Sequence, residues 1–370
     1  MSVVSETENP VLRCKYCQKI GHTRKTCLHL TVEHDAENCT VCINRNKRKK
    51  KKILWKHICW ESVLQGKTVA SKMFVRSALI RKNLVVDYLE KDVMQTHLVK
   101  CLRDVFGVIE KSKGEEVQAW FIKPPEKSNA SGVKAFQDAQ LELGDGYFES
   151  EKMQSKTATT FVLQPYLPPL LLECCNKRKF HVRALVYFVS NLHVYICKEA
   201  RVLVASKPWR PSSWDDRYIH ITNQSVNKTF ESYDFERQNI SLKDLVRDGE
   251  CGAGGSLYKH IFTQMQHQTR ILAANLHSRA PRKQFFPLPN TFELFGFDFI
   301  VDASLTVRFL EANPDPSTDL KFTNNEKINS ANPLQWIDIN DTTMQTNSAC
   351  TDSKEIDVKN MFIKIYSSAK

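Results

Sequence analysis

A chain of 370 residues has room for two domains, or for one large domain and an arm, and 42% apolar residues with 20 Phe are ample for a core. No apolar run reaches the length that spans a bilayer, and Phe161–Leu172 is interrupted by three prolines, so no membrane partner is expected. The net charge of +12 is uneven: residues 1–60 hold 13 Lys and Arg against 5 Asp and Glu, whereas the rest is close to balanced at 40 against 36.

The opening MSVVSETENP is polar and acidic, unlike a secretory signal. A cytoplasmic or nuclear setting with reduced cysteines is therefore expected. Six of the 12 cysteines fall in the first 60 residues, which read as a separate functional arm. Within it, Cys14-x2-Cys17-x4-His22-x4-Cys27, with Gly21 before the histidine, has the spacing of a zinc knuckle. Three thiolates and one imidazole would close a tetrahedral Zn²⁺ site, and the metal would supply the folding energy of so small a module. The same pattern could arise as a chance spacing of free thiols, but four ligands in register with a glycine favour zinc. This CCHC pattern resembles modules that bind single-stranded nucleic acid or proteins, and Tyr16 and Ile20 could meet a base or cover the knuckle itself. Cys39, Cys42, His57 and Cys59 leave a second site open; alternatively, Cys14, Cys17, Cys39 and Cys42 make one all-cysteine site without His22. The run RNKRKKKK at 45–52 has seven basic residues in eight positions, usual for a solvated segment and suited to nuclear targeting or phosphate contact.

From Trp60 the texture changes. Ser71–Glu90 carries apolar residues at helical spacing, with Arg76, Arg81 and Lys82 on its polar face, and Val93–Phe106 reads as a second helix. Ala119–Lys123 is a short buried strand delivering Lys123 into a loop. Phe161–Leu172 is a strand that breaks into an extended proline segment, whose backbone at Gln164–Leu167 could meet an adenine. In Lys177–Phe188, alternation puts Lys179, His181 and Arg183 on one face, where only an anion or core acids would offset their repulsion. Leu192–Ala205 reads as a pair of hairpin strands carrying Arg201, and Tyr218–Asn223 as a strand. Ser241–Val246 and Leu257–Leu276 read as helices.

Phe292–Ser317 places Asp298, Glu311 and Asn313 in two otherwise apolar strands, with Glu311 and Asn313 on one face and Leu310 and Ala312 on the other. Carboxylates are rarely buried unless paired or bound to metal. Oxygen-only ligands suit Mg²⁺, which completes its shell with substrate phosphates. The plainer alternative is a strand edge whose acids face water; the surrounding Phe295, Phe297, Phe299 and Phe309 favour the metal. After Ser317 the chain is short, polar and rich in Asn, Asp, Thr and Ser, with a closing helix expected only at Ile356–Tyr366.

The motifs RKFHVR, YIHITN and FELFGFDF…FLEANPDPS together resemble the tubulin–tyrosine ligase-like family, over about Ser71 to Ser317. That resemblance implies an α+β, ATP-grasp fold, here with a small N-terminal zinc-binding arm: residues 1–60 as arm, 61–330 as ligase-like domain and 331–370 as polar tail. It implies that Lys123 and Lys179 hold ATP phosphates, that Gln164, Tyr166 and Leu167 frame the adenine, and that His181 and Asn223 lie at the nucleotide. Asp298, Glu311 and Asn313 would hold Mg²⁺, and Arg183 and Arg201 would stabilise the reacting phosphoryl and acyl groups. The implied reaction is ATP-dependent ligation of an amino acid to a protein carboxylate, on tubulin or another protein, by a monomer. The family usually has KFDxR where this chain has Lys179-Phe180-His181-Val182-Arg183. Its phosphate loop tends to carry several glycines, whereas this one has Gly132 alone. A second reading follows from these departures: a non-catalytic nucleotide-binding or nucleic-acid-associated protein whose arm carries the function.

Overall fold

The structure is a computed structural model that describes residues 55–90, 96–112, 117–125, 127, 129–139, 143–154, 160–247, 254–317, 333–336 and 359–368. The proposed zinc ligands Cys14, Cys17, His22 and Cys27, with Cys39, Cys42 and the basic run, lie outside them. The chain divides into two units, Met1–Ala70 and Ser71–Lys370, ten residues beyond the arm boundary expected from sequence. In the first, a single 3-10 turn at Trp55–His57 precedes the helix Trp60–Leu64, and Cys59 is a free thiol.

The second unit is built on two antiparallel sheets. The smaller has the order β1 (His97–Val99), β4 (Phe161–Pro165), β2 (Trp120–Lys123), β3 (Lys134–Phe136). The larger runs β10 (Phe362–Ser367), β6 (His193–Val204), β5 (Phe180–Val189), β8 (Phe292–Val301), β9 (Val307–Pro314), with β7 (Asn239–Ser241) paired to β6. On one face of the large sheet Phe295, Phe297, Phe299 and Phe309 are buried against the helix Gly254–Arg279. That helix presents Leu257, Ile261, Met265, Leu272 and Leu276 at near-fourfold spacing, as a packed apolar stripe requires. Each fully buried ring contributes about 1.5–3 kcal/mol. The opposite face of β5 carries a second apolar cluster at Leu185, Tyr187 and Val189 towards one end and the polar His181 and Arg183 towards the other.

Several elements differ from the sequence reading. Ser71–Glu90 is two short helices, Ser77–Ile80 and Lys82–Val85, and a 3-10 turn, not one helix. Tertiary bonds override its periodicity: Val75 bridges Phe286, Ala78 N–H donates to Gln284 O at 2.9 Å, and Lys72 and Arg76 pair with buried Glu293 at 3.1 and 3.2 Å. Val93–Phe106 contains strand β1, and its helix runs Leu102–Lys111. Leu192–Ala205 is one long strand, turned from β5 through Ser190 and Leu192 at positive φ. Tyr218–Asn223 begins as the helical turn Arg217–His220, because the Asp216 carboxylate accepts Tyr218 N–H and caps it. The segment read as a closing helix at Ile356–Tyr366 instead supplies β10, which pairs with β6 inside the main sheet. Among the described residues no helix is long and apolar enough to cross a membrane.

Candidate active site

Four side chains form a row across the large sheet, because their strands pair in register: Arg201 on β6, Arg183 on β5, Asp298 on β8 and Glu311 on β9. Asp298 is buried and takes the Arg183 guanidinium as a two-pronged pair, Nε to Oδ1 and Nη2 to Oδ2, both at 2.6 Å. Gly296, two residues before it, makes room for this arginine: a Cβ there would lie 3.4 Å from Arg183 Cδ and 3.0 Å from Pro316 Cβ. Asn313 donates from Nδ2 to Asp298 Oδ2 at 3.0 Å and to Glu311 Oε1 at 3.2 Å, joining the two acids. Lys82 lies 3.2 Å from the other Glu311 oxygen. Burial would push the Glu311 carboxyl up, but Lys82, Lys123, the Asn313 amide and Arg183 outweigh it and hold the group down to about 2. The Arg183 guanidinium is held above its ordinary value, since Asp298 and Glu311 together outweigh its own burial.

A β-bulge shapes this face. Asp298 pairs with Glu311 but Phe299 pairs with Phe309, so β9 carries one extra residue, Leu310. Phe309 and Ala312 both turn into the core, while Leu310 and Glu311 both line the cavity beside Asp298. The expectation that Leu310 points away from Glu311 is therefore corrected: simple alternation fails at the extra residue.

Beside this row lie two adjoining cavities, one of about 70 Å³ lined by Asp298, Glu311 and Lys123, and one of about 90 Å³ lined by Phe121, Lys123, Gln164 and Lys179. Lys123 ends β2 and donates to Gln164 Oε1 at 2.6 Å, while Gln164 donates to Thr96 at 3.0 Å. Burial, offset in part by Glu311, lowers the Lys123 ammonium to about 8. Lys179 is buried, with Nζ 4.5 Å from the Phe121 ring centroid and 4.2 Å from that of Tyr166. Desolvation and the neighbouring Lys123 lower it well below its usual range. Two ring faces return about 2 kcal/mol to a desolvated cation, less than the several kcal/mol its burial costs. Such an ammonium is held for an anion.

His181 is buried between the two halves. Its Nδ1 lies 2.6 Å from Thr222 Oγ1, and its Nε2 is 3.6 Å from Asp298 Oδ1 with no hydrogen-bond partner. Burial lowers its pKa to about 4, so it is a neutral imidazole at physiological pH. Asn223 immediately precedes the short helix Gln224–Asn227, makes no side-chain capping bond to it, and lines the cavity.

Gln164 and Leu167 also line the cavity, but Tyr166 does not. Tyr166 sits behind Lys179: Trp209 Nε1 donates to its hydroxyl at 3.0 Å, which meets His220 Nδ1 at 3.0 Å, and its backbone N–H bonds Ala119 O at 2.7 Å. Arg201 is buried, donates from Nε to Asn239 Oδ1 at 2.7 Å, and lines neither this cavity nor the smaller one beside Glu311. Four groups at the site escaped the sequence reading: Lys82, Phe121, His220 and Thr222. The first passed for a solvated helix charge, Phe121 carries no signal outside the folded chain, and His220 and Thr222 stood in the YIHITN motif without a role of their own.

The donor chemistry fits a hard divalent cation. Two carboxylates and an amide meet at one end of a cationic cavity, and Mg²⁺ needs no more from protein when phosphates complete its shell. Asn313 presents its NH₂ to both acids, so it would ligate only after its amide turned over. Among the described residues there is no cluster of three His, Cys, Asp or Glu side chains suited to a metal held by protein alone.

The chain is similar to known proteins. The chain is 27% identical to the probable tubulin–tyrosine ligase PBY1 of Saccharomyces cerevisiae over 232 residues, which is 60% of this chain and 29% of that one. It is 26% identical to the probable tubulin polyglutamylase TTLL2 of Homo sapiens over 56% of this chain and 33% of that one. A Schizosaccharomyces pombe probable tubulin–tyrosine ligase is 27% identical over 54% and 52%. The chain thus spans roughly a third to a half of these relatives. Among solved structures, the C-terminal domain of K. lactis Pby1, an ATP-grasp enzyme interacting with the mRNA decapping enzyme Dcp2, superposes with a TM-score of 0.51 at 21% identity. It covers 74% of this chain and 77% of that one, and it shares the ATP-grasp fold. The tubulin-tyrosine ligase family model matches residues 33–335, so the chain belongs to that family.

Proposed function

We propose that this chain is an ATP-dependent ligase that adds an amino acid to a protein carboxylate. The observation that carries this reading is two adjoining cavities that share Lys123, His181 and Thr222: one has Asp298 and Glu311, joined by Asn313, in its wall, and the other has the buried Lys179. Lys123 and Lys179 hold the phosphates, and Gln164 and Leu167 border the base. Asp298, Glu311 and Asn313 would hold Mg²⁺, which when bound neutralises charge on the transferring phosphoryl group. A carboxylate oxygen attacks the γ-phosphorus, the bond to ADP breaks, and an acyl phosphate forms. An amine then attacks the acyl carbon, the C–O bond to phosphate breaks, and the amine loses a proton. The chain's contribution is to align and neutralise: Arg183, fixed by Asp298, places a permanent charge beside the reacting groups. Arg201 supports that row from the next strand.

Tubulin is the acceptor we infer, because the relatives named above carry tubulin-modifying names; acidic tubulin tails would also suit the basic arm. Intact-mass spectrometry of tubulin incubated with the chain, Mg²⁺, ATP and each amino acid in turn should reveal one adduct, of tyrosine, glutamate or glycine. No adduct on tubulin with any of them would overturn the acceptor assignment. The arm is proposed to bind Zn²⁺ through Cys14, Cys17, His22 and Cys27 and to recruit a polyanion, an acidic protein tail or single-stranded nucleic acid. Metal analysis tests this: Cys14→Ser should lower the bound zinc by one equivalent, and unchanged stoichiometry would rule the knuckle out. A cytosolic or nuclear setting suits the unoxidised thiols of Cys59, Cys101 and Cys197.

His181 favours a second reading. A neutral imidazole beside Asp298 cannot supply the negative charge of the aspartate usual at that position, which suits a chain that holds nucleotide without ligating. ATP binding with no adduct on any protein carboxylate would select it.

A further inference from the structure

The loop over the cavity is tied down by side chains from outside it. The Gly132 carbonyl accepts from Tyr147 Oη at 2.7 Å, that of Ala130 from Arg217 Nη2 at 2.8 Å, and that of Asn129 from Ser225 Oγ at 3.0 Å. Lys127 pairs with Glu151 at 2.6 Å. Gly132 itself stands at φ +68°, and a Cβ there would come within 2.7 Å of Pro124 Cγ. External donors thus fix a loop that has one glycine.

A further tie differs from these. Lys82, the first residue of the helix Lys82–Val85, donates from Nζ to the Lys127 carbonyl at 2.8 Å and lies 3.2 Å from Glu311 Oε2. Among these donors, Lys82 alone also touches the carboxylate cluster. Its side chain is 14% exposed, so the ammonium works in a partly desolvated place where charge pairs are felt. A divalent cation at Glu311 and this ammonium would compete for the same oxygen.

We propose that Lys82 is a positioning residue that clasps the loop to Glu311 in the empty site and yields the carboxylate when a phosphate-bound divalent cation enters. This rests on the reading of Glu311 as a metal ligand. Loop position and metal occupancy are coupled through one ammonium: the cation that displaces Lys82 from Glu311 takes away the anchor of its tie to the Lys127 carbonyl and loosens the loop.

Mn²⁺ as the probe, read by electron paramagnetic resonance on the full chain without nucleotide, tests the competition. Lys82→Met keeps the stem and removes the charge; it should bind Mn²⁺ about tenfold more tightly than wild type, whereas Lys82→Arg should bind as wild type does. Trypsin tests the clasp, since the Lys127 carbonyl belongs to a scissile bond. Cleavage after Lys127 should be several-fold faster in Lys82→Met. In the unmutated chain Mn²⁺ alone should also accelerate it, a comparison that needs no variant to fold. Wild-type Mn²⁺ affinity and wild-type cleavage in Lys82→Met would overturn the clasp while leaving the metal reading intact. No Mn²⁺ binding by either chain would overturn the metal reading of Glu311 and this inference with it.

Discussion

Lys123 and Lys179 show how burial prepares a side chain for a ligand the fold does not contain. Lys123 bonds a glutamine, with Glu311 offsetting only part of its desolvation, and Lys179 lies against two rings. Their proton affinity is therefore low in the free protein, and ATP phosphates would raise it. Binding favours the charged amine, so the contribution of Lys123 is full well below pH 8 and falls as Lys123 loses its proton through about 8. Calorimetry with Mg²⁺ in buffers of different ionisation enthalpy should find proton uptake on ATP binding, larger at pH 8 than at pH 6.5. Lys123→Met should lower the uptake at pH 8 by about half a proton. Zero uptake at both pH values would contradict the placement of either amine at phosphate. At this scale the sequence was legible where chemistry and pattern coincide, as in Lys179, Arg183, Asp298 and Glu311. It was silent on Lys82, whose role depends on an oxygen 229 positions away in the chain (82 to 311).

At the level of elements, the strands with the strongest pattern, β5, β8 and β9, were readable because an apolar face on one side and charges on the other leave one register. The bulge at Leu310 was not readable: the sequence Phe309-Leu310-Glu311-Ala312 fits plain alternation as well, and the extra residue is fixed by Phe309 and Ala312 packing on the same core. Tyr166 was misplaced for a similar reason. It follows the strand that lines the cavity, but Trp209 and His220 draw its hydroxyl behind Lys179. Short elements lost most. Residues 71–90 have helical periodicity, yet Lys72 and Arg76 neutralise Glu293, whose buried carboxyl is raised by desolvation even so, and that pairing keeps residues 71–76 out of the helices that follow. Near the C-terminus, Phe362 and Ile365 look helical in isolation and become β10 because β6 offers a paired edge.

Across the whole molecule, the site exists only where the two sheets meet. The large sheet supplies the acids, Arg183 and His181; the small sheet supplies Lys123, Gln164 and Phe121; Lys179 stands just before β5, against the rings of Phe121 and Tyr166. The proline segment joins them, with Ala303 N–H bonding Pro168 O at 2.9 Å and Pro169 bridging Asp302. Neither half could hold a nucleotide triphosphate alone, since one would lack cations for the phosphates and the other a place for the metal. The direct test is ATP binding by calorimetry, with and without Mg²⁺, in the unmutated chain and in Glu311→Gln. The account predicts that Mg²⁺ strengthens ATP binding in the unmutated chain and that Glu311→Gln loses at least about tenfold of that affinity, or about 1.4 kcal/mol, while Mg²⁺-free binding is not weakened. Equal affinity of the two proteins for ATP in the presence of Mg²⁺ would contradict it.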